Sequence, residues 1–453
     1  SDFIRAGNKQ NYVLASMVQE AYRKKPAYRN KFDNALIKVD ERVNICYFIF
    51  SNGILKVFPR PQDENNEWFA PGDVARAFAS EDSVFVSNID DLYFNAVVDG
   101  IHSGNWEDAG KYLGYISVFQ ERFGEEVIPS DFKQKAELWY NKAYIFQRIS
   151  YLYGLIGLVM LIFLFIRILK PAYQFRGIIT AGFILITIVF IIHAAGLGLR
   201  WYIAGHAPWS NGYEALIYIS WATVLAGLLF ASRSRIALAV TAILASLILH
   251  VAHLSWMDPE ITTLVPVLKS VWLVIHVAII TASYGFLALG ALMALVNLII
   301  ILFVSGKNQS NINTQVHKLT HIIEMTLIAG LYMLTIGTFL GGVWANESWG
   351  RYWGWDPKET WALVTILVYS FIAHMRMIPG LKSIFAFNLL ALFGFSSVIM
   401  TYFGVNYYLS GLHSYAKGDP LPIPDFVYYT VTILTVISVM AYINYRKFNW
   451  RLT

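Results

Sequence analysis

Residues 147–168 read QRISYLYGLIGLVMLIFLFIRI. A helix needs about 20 mainly apolar residues to cross a hydrocarbon core of roughly 30 Å, so this stretch predicts a membrane span. Similar stretches follow at 177–199, 214–231, 235–254, 270–304, 321–343, 358–378, 383–405 and 426–445. The sequence therefore predicts a mainly α, polytopic membrane domain of about nine spans over residues 147–453.

Composition separates this domain from the residues before it. The 453 residues are 56% hydrophobic and 14% charged, which excludes a disordered chain. Residues 1–146 hold 17 Lys/Arg and 21 Asp/Glu, whereas residues 147–453 hold 18 and 9. Positive charge is dispersed between apolar segments, which argues against a nucleic-acid partner. We therefore expect a soluble, mildly acidic N-terminal domain joined to a membrane domain, with the lipid bilayer as partner.

The N-terminal domain is predicted to be mixed α/β. Residues 10–25 and 105–123 predict amphipathic helices, and 44–58 predicts a hairpin around Ser-Asn-Gly. No helix breaker occurs from Asp131 to Lys170, which predicts one long helix entering the first span. The single cysteine, Cys46, excludes a disulfide or thiolate cage. Its apolar surroundings predict a core residue.

Lys and Arg are enriched in cytoplasmic loops, and this rule orients the spans. With residues 1–146 outside, the inner loops carry twelve basic residues and one acidic residue, Glu324. The N-terminal domain and the loop between spans six and seven are therefore predicted to be extracytoplasmic, on the periplasmic side of a bacterial inner membrane. Because no export signal precedes the domain, we expect earlier spans in the natural polypeptide.

That outer loop, residues 344–361, is called the tryptophan-rich loop. It reads WANESWGRYWGWDPKETW and holds five tryptophans beside fixed charges. An aromatic belt at the membrane interface explains one or two tryptophans at a helix end, but not five. A flat apolar platform with a polar edge suits a planar macrocycle, and His276 and His413 fall on the same outer side. Haem, whose iron takes axial imidazoles, is the ligand that fits this pattern.

His374 differs because it lies deep in the seventh span near Arg376. An ionisable group at that depth is a functional candidate, although a histidine there could also cap helix carbonyls. Arg200 and Glu214 are expected to form an ion pair that positions the outer loop between spans two and three, with a contact to a haem propionate as the alternative. The remaining outer histidines are expected to be structural: His193, His206, His250 and His253.

The segment WGRYWGWDPKETWAL resembles the tryptophan-rich "WWD" signature of haem-handling membrane proteins, including the CcsA/ResC-type cytochrome c synthase subunits. Further resemblance lies in RWYIAGHAPWSNGYEAL, around His276, at the end of span seven, and in GLHSY; together these cover about residues 145–453. The acidic front part resembles the end of a fused arrangement, in which a CcsB/ResB-like portion precedes the CcsA portion. The resemblance implies a system II cytochrome c biogenesis protein with such an upstream portion as partner.

The resemblance also implies roles for single residues. His276 and His413 fall at the positions of the two external haem ligands, and His374 falls where an intramembrane ligand lies. A further set matches the loop that presents haem b, and some of its members are expected to be catalytic. That set comprises Trp349, Gly350, Trp353, Trp355, Asp356, Lys358 and Glu359.

The implied activity is that of a holocytochrome c synthase. Haem would enter from the cytoplasm, pause at His374 and reach His276 and His413. It would then be joined to the CxxCH cysteines of apocytochrome c, kept reduced by thiol reductants of the pathway. Trp349, Trp353, Trp355, Asp356 and Glu359 are the expected catalytic residues, although Asp356 and Glu359 could instead brace the loop. Two other classes stay open: a haem transporter or chaperone without attachment, and a bis-histidine electron carrier.

Overall fold

The computed structural model describes residues 12–24, 29–61, 67–73, 78, 80–254, 257, 259–261, 270–306, 308–409 and 423–448. The chain divides into two compact units, residues 1–134 and 135–453. The first unit is helical with one small sheet. Its elements are α1 (Ala15–Arg23), α2 (Lys31–Phe50), β1 (Phe58–Pro59), β2 (Trp68–Phe69), α3 (Ser80–Ser103) and α4 (Glu107–Gly124).

Helices α1 and α4 confirm the two predicted amphipathic helices. A core in this unit joins β1 to α3 and α4 through Phe58, Val86, Ile89, Ile116 and Phe119. The strands β1 and β2 are antiparallel, with Phe58 opposite Phe69.

The hairpin predicted over residues 44–58 is wrong, because most of its first half belongs to α2. Asn30 and Asp33 start this helix with a capping box, in which each side chain accepts the backbone N–H of the other residue. The helix then ends where a turn was predicted: Asn52 is left-handed at φ 52°, and the Gly53 N–H donates to the Phe48 carbonyl at 2.8 Å. Ser-Asn-Gly is therefore a helix stop. The predicted burial of Cys46 is also wrong, since Cys46 is exposed.

Nine helical segments long and apolar enough to cross a membrane occur within the described ranges, and all nine predicted spans are confirmed. The helices concerned are α5 (Asp131–Ala143) with α6 (Ile145–Leu169), α7 (Arg176–Ala204), α8 (Gly212–Phe230), α9 (Arg235–Ala252), α10 (Val271–Leu302), α11 (Gln309–Trp349), α12 (Pro357–His374), α13 (Ile384–Ile399) and α15 (Asp425–Lys447). The span that contains α13 ends at Gly404, and the short helix α14 (Val405–Tyr408) follows it.

The single long helix predicted from Asp131 to Lys170 is interrupted. Tyr144 is left-handed, at φ 44°, and separates α5 from α6. On the α5 side, the Tyr140 hydroxyl accepts a hydrogen bond from the Arg200 guanidinium at 3.2 Å. On the α6 side, Phe146 is buried against His193, with ring centroids 5.5 Å apart. No glycine or proline marks the break, so tertiary contacts rather than local sequence account for it.

Two features of the membrane unit position the site. Helix α10 is largely buried from Thr281 to Ile301 and so lies in the core of the unit. Residues Met400–Gly404 form a π-helical turn between α13 and α14. Such turns are rare and occur frequently at functional sites.

Candidate functional site: an aromatic cavity at the tryptophan-rich loop

A cavity of about 470 Å³ lies at the end of the membrane unit that carries the tryptophan-rich loop. This volume is within the range of about 300–1,000 Å³ that small-molecule sites occupy. We call it the aromatic cavity. Its described lining includes Trp209, Tyr213, Leu273, His276, Ile280, Tyr284, Gly341, Trp344, Tyr352, Trp353, Lys358, Glu359, Tyr402 and Asn406.

His276 lies on the first turns of α10 and is only 7% exposed. Its Nδ1 lies 2.8 Å from the Trp272 carbonyl oxygen. A carbonyl only accepts, so in the neutral imidazole Nδ1 carries the hydrogen and the lone pair lies at Nε2. A hydrogen bond of this kind is what orients a metal-ligating histidine.

Two neighbours on α11 hold the plane of the His276 ring. Trp344 is 1% exposed, and its ring stacks on the imidazole with centroids 5.3 Å apart and planes at 24°. Gly341 permits the close approach of α11, because a Cβ placed there would lie 3.2 Å from His276 Cδ2. The imidazole is therefore fixed in direction and in tilt.

The first six residues of the tryptophan-rich loop continue α11, and the loop then contains a helix stop and a left-handed tryptophan. Gly350 ends α11 at φ 71°, and its N–H donates to the Asn346 carbonyl at 2.9 Å. Trp355 adopts φ 57°, a conformation that is rare for a bulky side chain, and it is 70% exposed. Its ring stands perpendicular to that of Trp353, with centroids 5.8 Å apart.

The loop acids hold this backbone in place. The Glu359 carboxylate accepts the N–H groups of Gly354 at 2.7 Å and Asp356 at 3.3 Å, and it pairs with Arg351 at 3.2 Å. The Asp356 carboxylate accepts the Lys358 N–H at 3.1 Å and also the Glu359 N–H; together with the bond from the Asp356 N–H to Glu359, the latter forms the capping box of α12. Both acids are therefore engaged in positioning the loop, and their predicted catalytic role stays a prediction.

The segment after α13 closes the cavity from another side. The Lys358 ammonium donates to Asn406 Oδ1 at 3.0 Å. Within the π-helical turn, the Thr401 hydroxyl donates to the Trp361 carbonyl at 3.1 Å, and the Tyr402 hydroxyl donates to the Gly212 carbonyl at 3.1 Å. The turn thus ties α12 to the start of α8. Lys358 is the one lysine or arginine among the described lining residues.

The predicted ion pair of Arg200 with Glu214 is confirmed and supports a further wall. The two side chains are 0% and 1% exposed, with Arg200 Nε and Glu214 Oε1 2.9 Å apart. The second oxygen of Glu214 accepts the Ser210 N–H at 2.8 Å. The pair therefore anchors the connection that brings Trp209 and Tyr213 to the aromatic cavity.

The predicted residues fall into three groups. The structure brings His276, Trp353, Lys358 and Glu359 together at the cavity. Trp349 packs on Trp344 at 4.7 Å, in contact with the lining. Asp356 and Gly350 determine the backbone conformation of the loop. Trp355 lies in the same loop and is exposed.

The other two predicted haem ligands are not part of the described aromatic cavity. His374 is an exposed residue at the far end of α12, and its Nδ1 lies 2.7 Å from the Ser370 carbonyl. It lies 16 residues from Lys358, or about 24 Å along the helix. His413 lies outside the described residues.

Sequence reasoning missed several polar lining residues, among them Tyr284, Tyr402 and Asn406. Each lies in or next to an apolar span, and its polar group gave no signal of facing a cavity. Trp209 and Tyr213 could have been predicted as site residues, because both lie in RWYIAGHAPWSNGYEAL, a segment that carries the family resemblance.

Comparison with known proteins gives consistent matches to one family. Residues 209–413 match the family described as cytochrome C assembly protein. The chain is 42% identical over 432 residues to Protein NrfI of Wolinella succinogenes, which covers 95% of this chain and 47% of that protein. It is 35% identical over 243 residues to the cytochrome c biogenesis protein CcsA of Guillardia theta. That match covers 48% of this chain and 80% of the CcsA protein. The chain thus spans about half the length of NrfI.

The fold and the aromatic cavity define a polytopic helical membrane protein with a ligand-sized site at one end of its spans. The chain belongs to the CcsA-type family of cytochrome c biogenesis proteins. Its role is therefore in cytochrome c biogenesis, and the family implies the handling of haem and apocytochrome c at a membrane.

Proposed function

We propose that this chain receives haem b from the cytoplasmic side, holds it in the aromatic cavity and attaches it to apocytochrome c. The observation that carries the proposal is the His276 imidazole, whose Nδ1 bond to Trp272 directs the lone pair to Nε2 within an aromatic cavity. An apolar cavity with one imidazole and one cation suits haem, which offers iron, an apolar ring and two acid groups.

His413 is the proposed second axial ligand. It lies seven residues beyond Asn406, which lines the cavity. His374, at the other end of α12, is the proposed first stopping point, and the excess of basic residues at that end favours a cytoplasmic orientation.

Attachment is proposed to be addition of two thiols across the two vinyl groups. For each thioether, the cysteine sulfur bonds to a vinyl carbon and the thiol proton goes to the neighbouring vinyl carbon, so no oxidant or reductant is consumed. In this proposal Trp353 and Trp355 hold the haem so that the edge of its ring faces apocytochrome c. Trp349 supports them from its place against Trp344. Asp356 and Glu359 hold the loop and stay candidates for proton transfer. Holding two reactants at near-attack geometry contributes on the order of 7–11 kcal/mol.

The test is co-expression with an apocytochrome c in a host without its own maturation system. The chain would be expressed together with a CcsB/ResB-like protein, the partner that the sequence resemblance implies. A haem-stained cytochrome band on a denaturing gel is the expected result. Haem bound to this protein without covalent product would instead indicate a transporter or chaperone.

A variant separates ligation from general damage. His276→Gly should abolish the band, and added imidazole should restore it. His253→Gly is the matched control, because His253 makes the same bond from Nδ1 to the carbonyl four residues earlier, at 2.6 Å, and does not line the described cavity. Full haem content and full product in His276→Gly would refute the ligand assignment.

A further inference from the structure

A second cavity, of about 340 Å³, lies at the opposite end of α11. We call it the basic cavity, and its described lining is His317, Thr320, His321, Arg376, Lys382 and Ile384. His317 and Trp344 lie 27 residues apart on α11, which separates the two cavities by about 40 Å along the helix. The basic cavity is therefore distinct from the site of the proposed reaction.

The side chains around the basic cavity are almost all donors or cations. One acid lies beside them: Glu324 pairs with Arg376 at 3.0 Å, and its carboxylate lies 3.8 Å from His321 Nδ1. Lys382 is exposed and has no hydrogen bond or ion pair with another described residue. His317 Nε2 is buried and has no hydrogen-bond partner among the described residues. Burying such a polar atom costs free energy unless a partner satisfies it.

Thr320 adds a hydroxyl to the lining. It is 1% exposed, and its oxygen accepts amide N–H groups from Asn297 and Asn388, each at 3.0 Å. Its own proton enters no hydrogen bond among the described residues. Thr320, His317 and Lys382 therefore provide polar hydrogens or positive charge that the protein itself leaves without an acceptor.

We infer that the basic cavity binds a phosphate group, namely the headgroup of an acidic membrane phospholipid. Converging donors from α11 and from the connection before α13 suit the several oxygens of a phosphate. The cavity lies at the ends of three spans, where headgroups lie, and basic pockets between spans are known to take acidic headgroups. Free inorganic phosphate offers the same chemistry, and the experiment distinguishes the two sources.

The experiment uses the haem-free full chain in nanodiscs, so that its outcome does not depend on haem binding or attachment. Bound lipid is counted by native mass spectrometry in discs of mixed phosphatidylglycerol and phosphatidylcholine. The wild type should retain phosphatidylglycerol selectively. His317→Gln and Lys382→Gln should each weaken that retention about fivefold. Lys318→Gln is the matched control, because it removes a neighbouring exposed cation of α11 that does not line the described cavity.

Each outcome decides the proposal. Selective retention that the two lining variants reduce and Lys318→Gln preserves would support a lipid headgroup. Labelled inorganic phosphate that binds in phosphatidylcholine discs, and is lost in the same variants, would support the phosphate site with a soluble ligand. No retention of either ligand, or an equal loss in Lys318→Gln, would overturn it. Lys382→Gln keeps the test valid even if His317→Gln fails to fold.

Discussion

The Glu359 carboxylate accepts the Gly354 N–H at 2.7 Å, across the turn that contains the left-handed Trp355. Glu359→Gln would remove the charge that pairs with Arg351 and weaken both backbone contacts. Hydrogen bonds to charged groups contribute about 1.5–3 kcal/mol, so the loop should open more often. We expect faster proteolysis within residues 350–356 and less covalent product. Glu137→Gln, which changes an exposed carboxylate of α5 that has no hydrogen bond or ion pair with another described residue, should change neither.

The left-handed Trp355 allows stability and function to be separated. Trp355→Gly should relieve about 1 kcal/mol of backbone strain, because glycine adopts φ 57° without steric cost. Thermal unfolding should therefore occur at the same or a higher temperature, while attachment of haem falls. If the variant loses attachment and also unfolds at a lower temperature, destabilisation would explain the loss. That result would contradict a role for this indole in presenting haem.

Gly341 sets the tilt of the His276 ring. A Cβ added there would lie 3.2 Å from His276 Cδ2, closer than an ordinary van der Waals contact. Gly341→Ala should displace the imidazole by a few tenths of an ångström and shift the visible absorption of bound haem. Gly198→Ala is the control, since a Cβ at Gly198 would meet nothing within 4 Å. An unchanged spectrum in Gly341→Ala would argue against His276 as a ligand.

Lys358 should recognise an acid group of the ligand. Its ammonium donates to Asn406 Oδ1 at 3.0 Å, which is a neutral acceptor, so an anion in the cavity would be a better partner. Lys358→Gln should bind haem about tenfold more weakly. Titration with the dimethyl ester of haem checks the cause, because the ester should bind wild type and variant alike. A similar loss for both ligands would indicate general damage to the cavity.

Replacing only one partner of the buried pair Arg200 and Glu214 should strongly lower the free energy of unfolding. Arg200→Met leaves Glu214 buried without its cation, and removing one partner of a buried pair typically costs about 3–5 kcal/mol. The expected result is a large fall in unfolding temperature. The double variant Arg200→Met with Glu214→Met should recover much of it. Recovery would fail if Arg200 acted mainly through Tyr140 and the backbone carbonyls of Pro259 and Glu260.

The membrane architecture was predictable because span length and hydropathy follow directly from bilayer thickness. His276 and the tryptophan-rich loop were found because five tryptophans beside fixed charges are unusual. Asp-Pro-Lys-Glu also carries the pattern of a capping box, and bracing of the loop by Asp356 and Glu359 was expected as the alternative to a catalytic role. Local propensity failed at residues 44–50, where strand-forming residues continue a helix begun by Asn30 and Asp33. The break at Tyr144 has no local signal.

The uninterrupted run of α11 from Gln309 to Trp349 has a mechanical consequence. Its 41 residues extend about 62 Å, longer than a hydrocarbon core. His317 and Trp344 are fixed to the same rod, so an axial rotation or a piston-like shift of α11 moves both by the same amount. Both cavities therefore have a wall on the same helix. A rotation of α11 that starts at the basic cavity would also move Trp344 against the ring of His276.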